Sequence, residues 1–111
     1  MSEAAPNCVF CKIVAKKEPA EFLYEDDEIV VFRNRLKWVP IMLLVVPKVH
    51  MQQWQLWEEV MPKAGPIAVK MGEENCPGGF RVLSNFGRDA MQSQEHAHIH
   101  VVGGTRLIEY A

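Results

Sequence analysis

The chain has 111 residues, 49% of them hydrophobic and 23% charged, with a formal net charge of −2. That length allows one domain with a modest core, and the near-balanced, well-mixed charge leaves no basic field for nucleic acid and no polybasic patch for a membrane surface. The longest apolar run, Val39 to Pro47, is far too short to cross a bilayer, the acidic start Met1-Ser2-Glu3 does not resemble a signal peptide, and three cysteines read as thiols or metal ligands rather than disulfides, so a cytoplasmic protein is expected.

Residues 1–7 read as a loose start. Cys8-Val9-Phe10-Cys11 leads into Lys12 to Ala15, a short helical turn. The Cys-x-x-Cys spacing suits one side of a tetrahedral zinc site that needs two more ligands from elsewhere. A redox dithiol, which usually follows a strand in a βαβ unit, and a pair of plain buried thiols are the other readings. Phe22 to Tyr24 is expected as a strand, Glu25-Asp26-Asp27 as a turn and Ile29 to Phe32 as a second strand. Residues 33–40 are polar and end at Pro40, which suits a loop. Ile41 to Val46 is almost wholly apolar and reads as a central strand buried on both faces, ended by Pro47. His50 follows directly, and its place just past a strand end makes it a partner for ligands elsewhere.

Gln52 to Val60 and Ala64 to Glu74 read as helical, with Pro62 and Pro66 expected to prevent one long helix. Trp54, Trp57 and Met61 recur at helical spacing, which predicts a core-facing stripe; an aromatic wall facing a ligand is the alternative. Cys76-Pro77-Gly78-Gly79 is a turn, with Cys76 a bystander. Phe80 to Asn85 is a strand, Phe86 to Glu95 a loop, and His96 to Val102 the last strand, closed by Gly103-Gly104. Short turns between successive strands favour an antiparallel sheet with helices over one face, an α+β domain.

The last strand carries the chemistry. Three of the four histidines, His96, His98 and His100, fall at alternate positions. On a strand they share one face, while Ala97, Ile99 and Val101 share the other and can pack on a core. Neutral imidazole is a nucleophile, a general base and a zinc ligand near pH 7. Gln92-Ser93 and Ser84-Asn85 can donate hydrogen bonds to phosphoryl oxygens as charge builds. An anionic group, with phosphate the obvious candidate, is the expected ligand. A metal site using all three histidines is the rival.

Gln92-Ser93-x-x-His96-x-His98-x-His100-Val101-Val102 resembles the signature of the histidine triad (HIT) family of nucleotide-binding hydrolases and transferases. Cys8-Val9-Phe10-Cys11-Lys12-Ile13, Val45-Val46-Pro47-Lys48-x-His50 and Phe80-Arg81-Val82-Leu83-Ser84-Asn85-x-Gly87 look like family landmarks in family order, and Gly103-Gly104 is closest to the Hint-like branch. The resemblance implies a single HIT domain over residues 1–111, α+β, with a five-stranded antiparallel sheet and two helices, two copies pairing as a homodimer into a larger continuous sheet. It implies hydrolysis at the α-phosphate of purine nucleoside phosphoramidates or related esters through a nucleotidyl-histidine intermediate on His98, with His100 and Ser93 assisting. Asn34, Asn85, Gln92, Ser93, His98 and His100 would contact the nucleotide. One structural zinc per chain would be held by Cys8, Cys11, His50 and His96. A dinucleoside polyphosphate hydrolase, a nucleotidyl transferase and a non-catalytic nucleotide-binding module are the alternatives. Departures from the family pattern are Asn34 in place of an acidic residue, Met91 in place of glycine, Glu95 before the triad, and an end at Ala111 without a longer tail.

Overall fold

The computed structural model describes residues 7–109, so the start expected to be loose lies, apart from Asn7, outside the described residues. The fold is a five-stranded antiparallel sheet in the order β1-β2-β3-β5-β4. The strands are β1 (Phe22–Glu25), β2 (Ile29–Arg33), β3 (Ile41–Pro47), β4 (Phe80–Leu83) and β5 (Ile99–Gly103). β3 is central, paired to β2 on one side and β5 on the other, which is why an almost unbroken apolar run serves it.

The helical elements are a short α1 (Val9–Val14), then α2 (Gln53–Gln55), a π-helical turn (Leu56–Val60) and α3 (Met61–Asn75), the last three running on without a break. Alternation along the strands divides the core between the two faces of the sheet. Ile29, Val31, Leu43, Val45, Ile99 and Val101 pack with Leu56, Ala64, Ala68 and Met71 from the long helical run. On the opposite face Val30, Phe32, Leu44 and Val46 meet Phe10 and Ile13 of α1. The expectation that helices cover one face is therefore corrected: α1 lies on the other, because Phe10 and Ile13 give even this short helix an apolar side to bury.

Three further expectations shift. The two prolines do not separate two helices. Pro62 sits in the first turn of α3, and only Pro66 lies inside the helix. The π turn comes just before, absorbing the irregularity. The tryptophan stripe has the right period and the wrong phase. Trp54 and Trp57 are about half exposed, and the buried positions are Gln53, Leu56, Ala64, Ala68, Met71 and Gly72, with Met61 partly buried. Small residues at Ala64, Ala68 and Gly72 let the helix approach the sheet closely, and that approach sets the phase.

The last strand starts at Ile99, not His96, and β4 ends at Leu83, not Asn85. The β3–β5 ladder runs from Ile41↔Gly103 to Val45↔Ile99. Continued, it would set Ala97 opposite Pro47, which has no N–H to give. The backbone N–H of Ala97 instead donates to the Met51 carbonyl at 2.8 Å. The in–out alternation survives this change: Ala97, Ile99 and Val101 are fully buried in the helix-side core. Among the described residues no helix is long and apolar enough to cross a membrane.

Candidate active site and metal centre

Cys8 caps the N-terminus of α1, and its sulfur accepts a hydrogen bond from the Cys11 backbone N–H at 3.4 Å. This turn brings both thiols to one side. Opposite them stands His96, fully buried, with Nδ1 at 3.4 Å from Cys8 Sγ and 3.5 Å from Cys11 Sγ. His50 Nδ1 lies 3.3 Å from Cys11 Sγ. The four ligand atoms all fall within 4.8 Å of one another. A tetrahedral zinc with bonds of about 2.3 Å to sulfur and about 2.0–2.1 Å to nitrogen has S···N edges of about 3.6 Å, so these spacings fit a Cys-x-x-Cys zinc site. The other nitrogen of His96 agrees: Nε2–H donates to the Pro47 carbonyl at 2.7 Å, which leaves the Nδ1 lone pair aimed at the thiols. Burial pushes the His96 pKa down to about 4, keeping the ring neutral as a ligand must be.

His98 takes the opposite tautomeric arrangement to the one His96 needs. Its Nδ1–H donates to the His96 carbonyl at 2.8 Å, so the lone pair sits on Nε2. Burial lowers its pKa, and the free-base ring persists at neutral pH. The ring stands edge-on to Phe10 at 5.3 Å between centroids and to His100 at 4.9 Å. His100 Nε2 is buried without a hydrogen-bond partner among the described residues, and burial holds that ring's pKa down at about 4. Both rings line a cavity of about 1050 Å³ on the α1 side of the sheet, with Phe32, Leu44 and Val102 beside them. A buried nitrogen with no partner, beside an oriented lone pair at the floor of a cavity, is an arrangement that awaits an acidic or phosphoryl group.

The other expected site residues divide. Asn34, Asn85 and Ser93 line this cavity. The Asn34 side-chain oxygen already accepts from the Leu36 N–H at 3.0 Å, so its amide N–H groups are what it can offer. Gln92 lines a neighbouring depression; its side chain accepts from the Gly87 N–H and donates to the Gln94 carbonyl, which braces the loop carrying Ser93. Ser84, expected among the phosphate donors, gives its hydroxyl to the His98 carbonyl at 2.8 Å. Sequence reasoning missed Phe10, whose ring faces both His96 and His98, and Gln53, which bonds the His98 backbone. The three-histidine metal site does not form: among the described residues the potential ligand cluster is Cys8, Cys11, His50 and His96, with His98 and His100 outside it.

The fold and the paired sites define a histidine triad protein. The HIT domain family matches residues 15–107, and the chain belongs to that family. A curated relative, Protein HitA of Neisseria gonorrhoeae, is 38% identical over 87% of this chain and 95% of its own length. Among solved structures, a histidine triad protein from Clostridium difficile superposes with a TM-score of 0.88 at 30% identity, covering 98% of this chain and 100% of that one. A HIT family hydrolase from Clostridium thermocellum gives 0.87 at 27% identity over 96% and 97%. A zinc-bound histidine triad family protein from Mycobacterium smegmatis gives 0.69 at 26% identity over 87% and 74%.

Proposed function

We propose that this chain hydrolyses purine nucleoside phosphoramidates, or closely related nucleotide esters, at the α-phosphorus through a covalent intermediate on His98. The observation that carries this reading is the His98 ring itself: Nδ1–H tied to the His96 carbonyl, Nε2 free, and a cavity in front of it. The Nε2 lone pair attacks phosphorus, the bond to the leaving amine breaks, and the amine takes a proton delivered from the cavity side by Ser93 or His100. Positive charge appearing on the His98 ring is shared through Nδ1–H with the His96 carbonyl. Water then attacks phosphorus, the P–N bond to His98 breaks, and the nucleoside monophosphate leaves. One difficult displacement becomes two easier ones. Asn34 and Asn85 would face the nucleotide, and Gln92 would act by holding the Ser93 loop.

Zinc is the metal proposed for Cys8, Cys11, His50 and His96, on the donor set and the spacing of the ligand atoms. When bound it supplies cross-linking rather than chemistry, since all four positions are taken by protein. The M. smegmatis homologue, described as zinc-bound, supports the assignment. A homodimer and cytoplasmic residence complete the proposal; β4 is an edge strand, and Val69 and Val82 are exposed on α3 and β4. Sedimentation at micromolar concentration would read the dimer.

The test is release of nucleoside monophosphate from an adenylate joined to an amine by a P–N bond. His98→Ala should lose about 10³-fold or more in kcat while staying folded, and rapid quenching of the unaltered protein should trap one nucleotidyl group on His98. Undiminished turnover by His98→Ala overturns the mechanism. A panel that includes dinucleoside polyphosphates separates the phosphoramidate reading from its alternatives, and tight binding with no turnover of any member would favour a binding module.

A further inference from the structure

The backbone of His98 is held in an unusual way. A strand residue ordinarily gives its N–H and C=O to neighbouring strands. His98 lies one residue before β5, and both groups are instead bonded to side chains. The N–H donates to Gln53 Oε1 at 2.9 Å, and the carbonyl accepts from Ser84 Oγ at 2.8 Å. Gln53 is 4% exposed, and its Nε2 donates to the Asn85 carbonyl at 3.0 Å. Rotating that side chain would leave the buried His98 N–H and the part-buried Asn85 carbonyl without these bonds. Gln53 is also the first residue of α2, whose start is fixed by reciprocal bonds between Gln52 and Gln55. The side chain is therefore a rigid bridge from the helix to the histidine peptide and to the strand end after β4.

We propose that Gln53 is a positioning residue for His98, acting opposite Ser84 as a two-sided clamp on the His98 peptide. The proposal rests on the reading of His98 as nucleophile. The bond from Nδ1–H to the His96 carbonyl sets how the ring is turned. Gln53 and Ser84 set where the residue sits relative to phosphorus. Asn85, which lines the cavity, is placed by the other end of the same glutamine, so one side chain fixes the distance between the attacking group and a wall of the nucleotide pocket.

The experiment compares Gln53→Leu, Gln53→Glu and Ser84→Ala with the unaltered protein on the same phosphoramidate. A displacement of about 1 Å costs roughly 100-fold, so Gln53→Leu should lower kcat by about 10- to 100-fold with KM changed less than about twofold. Gln53→Glu should recover most of the loss, because burial holds the carboxyl neutral and it then offers the same acceptor and donor. Ser84→Ala should lower kcat in the same sense from the other side of the peptide. Amide hydrogen exchange at His98 should speed up in Gln53→Leu and return in Gln53→Glu. Normal kcat in folded Gln53→Leu, a rise in KM matching the fall in kcat/KM, or no recovery in folded Gln53→Glu would each overturn the clamp. If Gln53→Leu does not fold, Ser84→Ala and Gln53→Glu decide the matter. Failure of the underlying reading looks different: His98→Ala would keep turning over, while His98 amide exchange would still respond to Gln53.

Discussion

His96 serves two neighbours through different atoms. Its Nδ1 faces Cys8 and Cys11, and its backbone carbonyl receives Nδ1–H of His98. Two alternate residues on the approach to β5 thus do different work, since one ring turns to the thiols and the next to the cavity. Removing a thiol should empty the metal centre and spare the nucleophile's side chain; removing the nucleophile should spare the metal. Cys8→Ser or Cys11→Ser should purify with less than one zinc per chain, and His98→Ala with a full complement, as read by metal analysis. A second residue-scale prediction concerns Met91, which adopts φ 62° and ψ 34° at the end of a short 3₁₀ turn. A side chain in this left-handed region costs about 1–2 kcal/mol, while glycine adds back roughly 0.5–1 kcal/mol of unfolded-chain entropy. Met91→Gly should therefore raise stability by up to about 1 kcal/mol, measured as a shift in denaturation midpoint. The alternation of three histidines and the Cys-x-x-Cys spacing are legible in the amino-acid sequence alone. Gln53 was not: glutamine is ordinary at a helix start, and its partner lies 45 residues away.

At the scale of elements, apolar runs announced every strand, and what they could not announce was where each stops. β5 starts late because Pro47 cannot donate across from Ala97, a constraint visible only when the register is known. The helix phase was hidden for a related reason. Tryptophan spacing is the stronger signal in sequence, yet the small residues facing the sheet decide which side is buried. Gly72 shows how tight that approach is: a Cβ there would lie 2.3 Å from the Phe80 ring of β4. Gly72→Ala should cost about 1–3 kcal/mol despite the gain in helix propensity, seen as a lowered urea midpoint. The β1–β2 turn gives a pH prediction. The Tyr24 hydroxyl, then the Glu28 and Ile29 N–H groups, then Lys63 hold the Asp26 carboxyl well below its ordinary 3.8. A group whose pKa is lower when folded stabilises fully above its unfolded pKa and loses that contribution as pH falls further. Urea midpoints should accordingly decline below about pH 4, and Asp26→Asn should be less stable at pH 7 with a flatter acid dependence.

For the molecule as a whole, the long helical run is held to the sheet by a broad apolar layer, supplemented by the Gln53 bonds and by Lys63 beside the β1–β2 turn, whereas α1 is six residues long and too short to persist unaided. Its hold on the sheet consists of Phe10 and Ile13 against Val30, Phe32, Leu44 and Val46, together with the two thiols set against His50 and His96. Zinc bound there would join α1 to the segment after β3 and to the approach to β5 at one point. Phe10 carries that connection into the cavity, because its ring is edge-on to both His96 and His98. Stripping zinc with a chelator should thus act on two levels. Hydrogen exchange should lose protection in α1 and near His96, while α3 and the β2–β3 pair stay protected. Turnover should fall in step with the loosening of α1 and return when zinc is restored. Phe10→Ala, in the zinc-loaded protein, should reproduce the fall in turnover with the metal content intact. Equal loss of protection across α3 and the sheet would mean that the metal holds the whole domain together, and unchanged protection in α1 would mean that its apolar side is anchor enough.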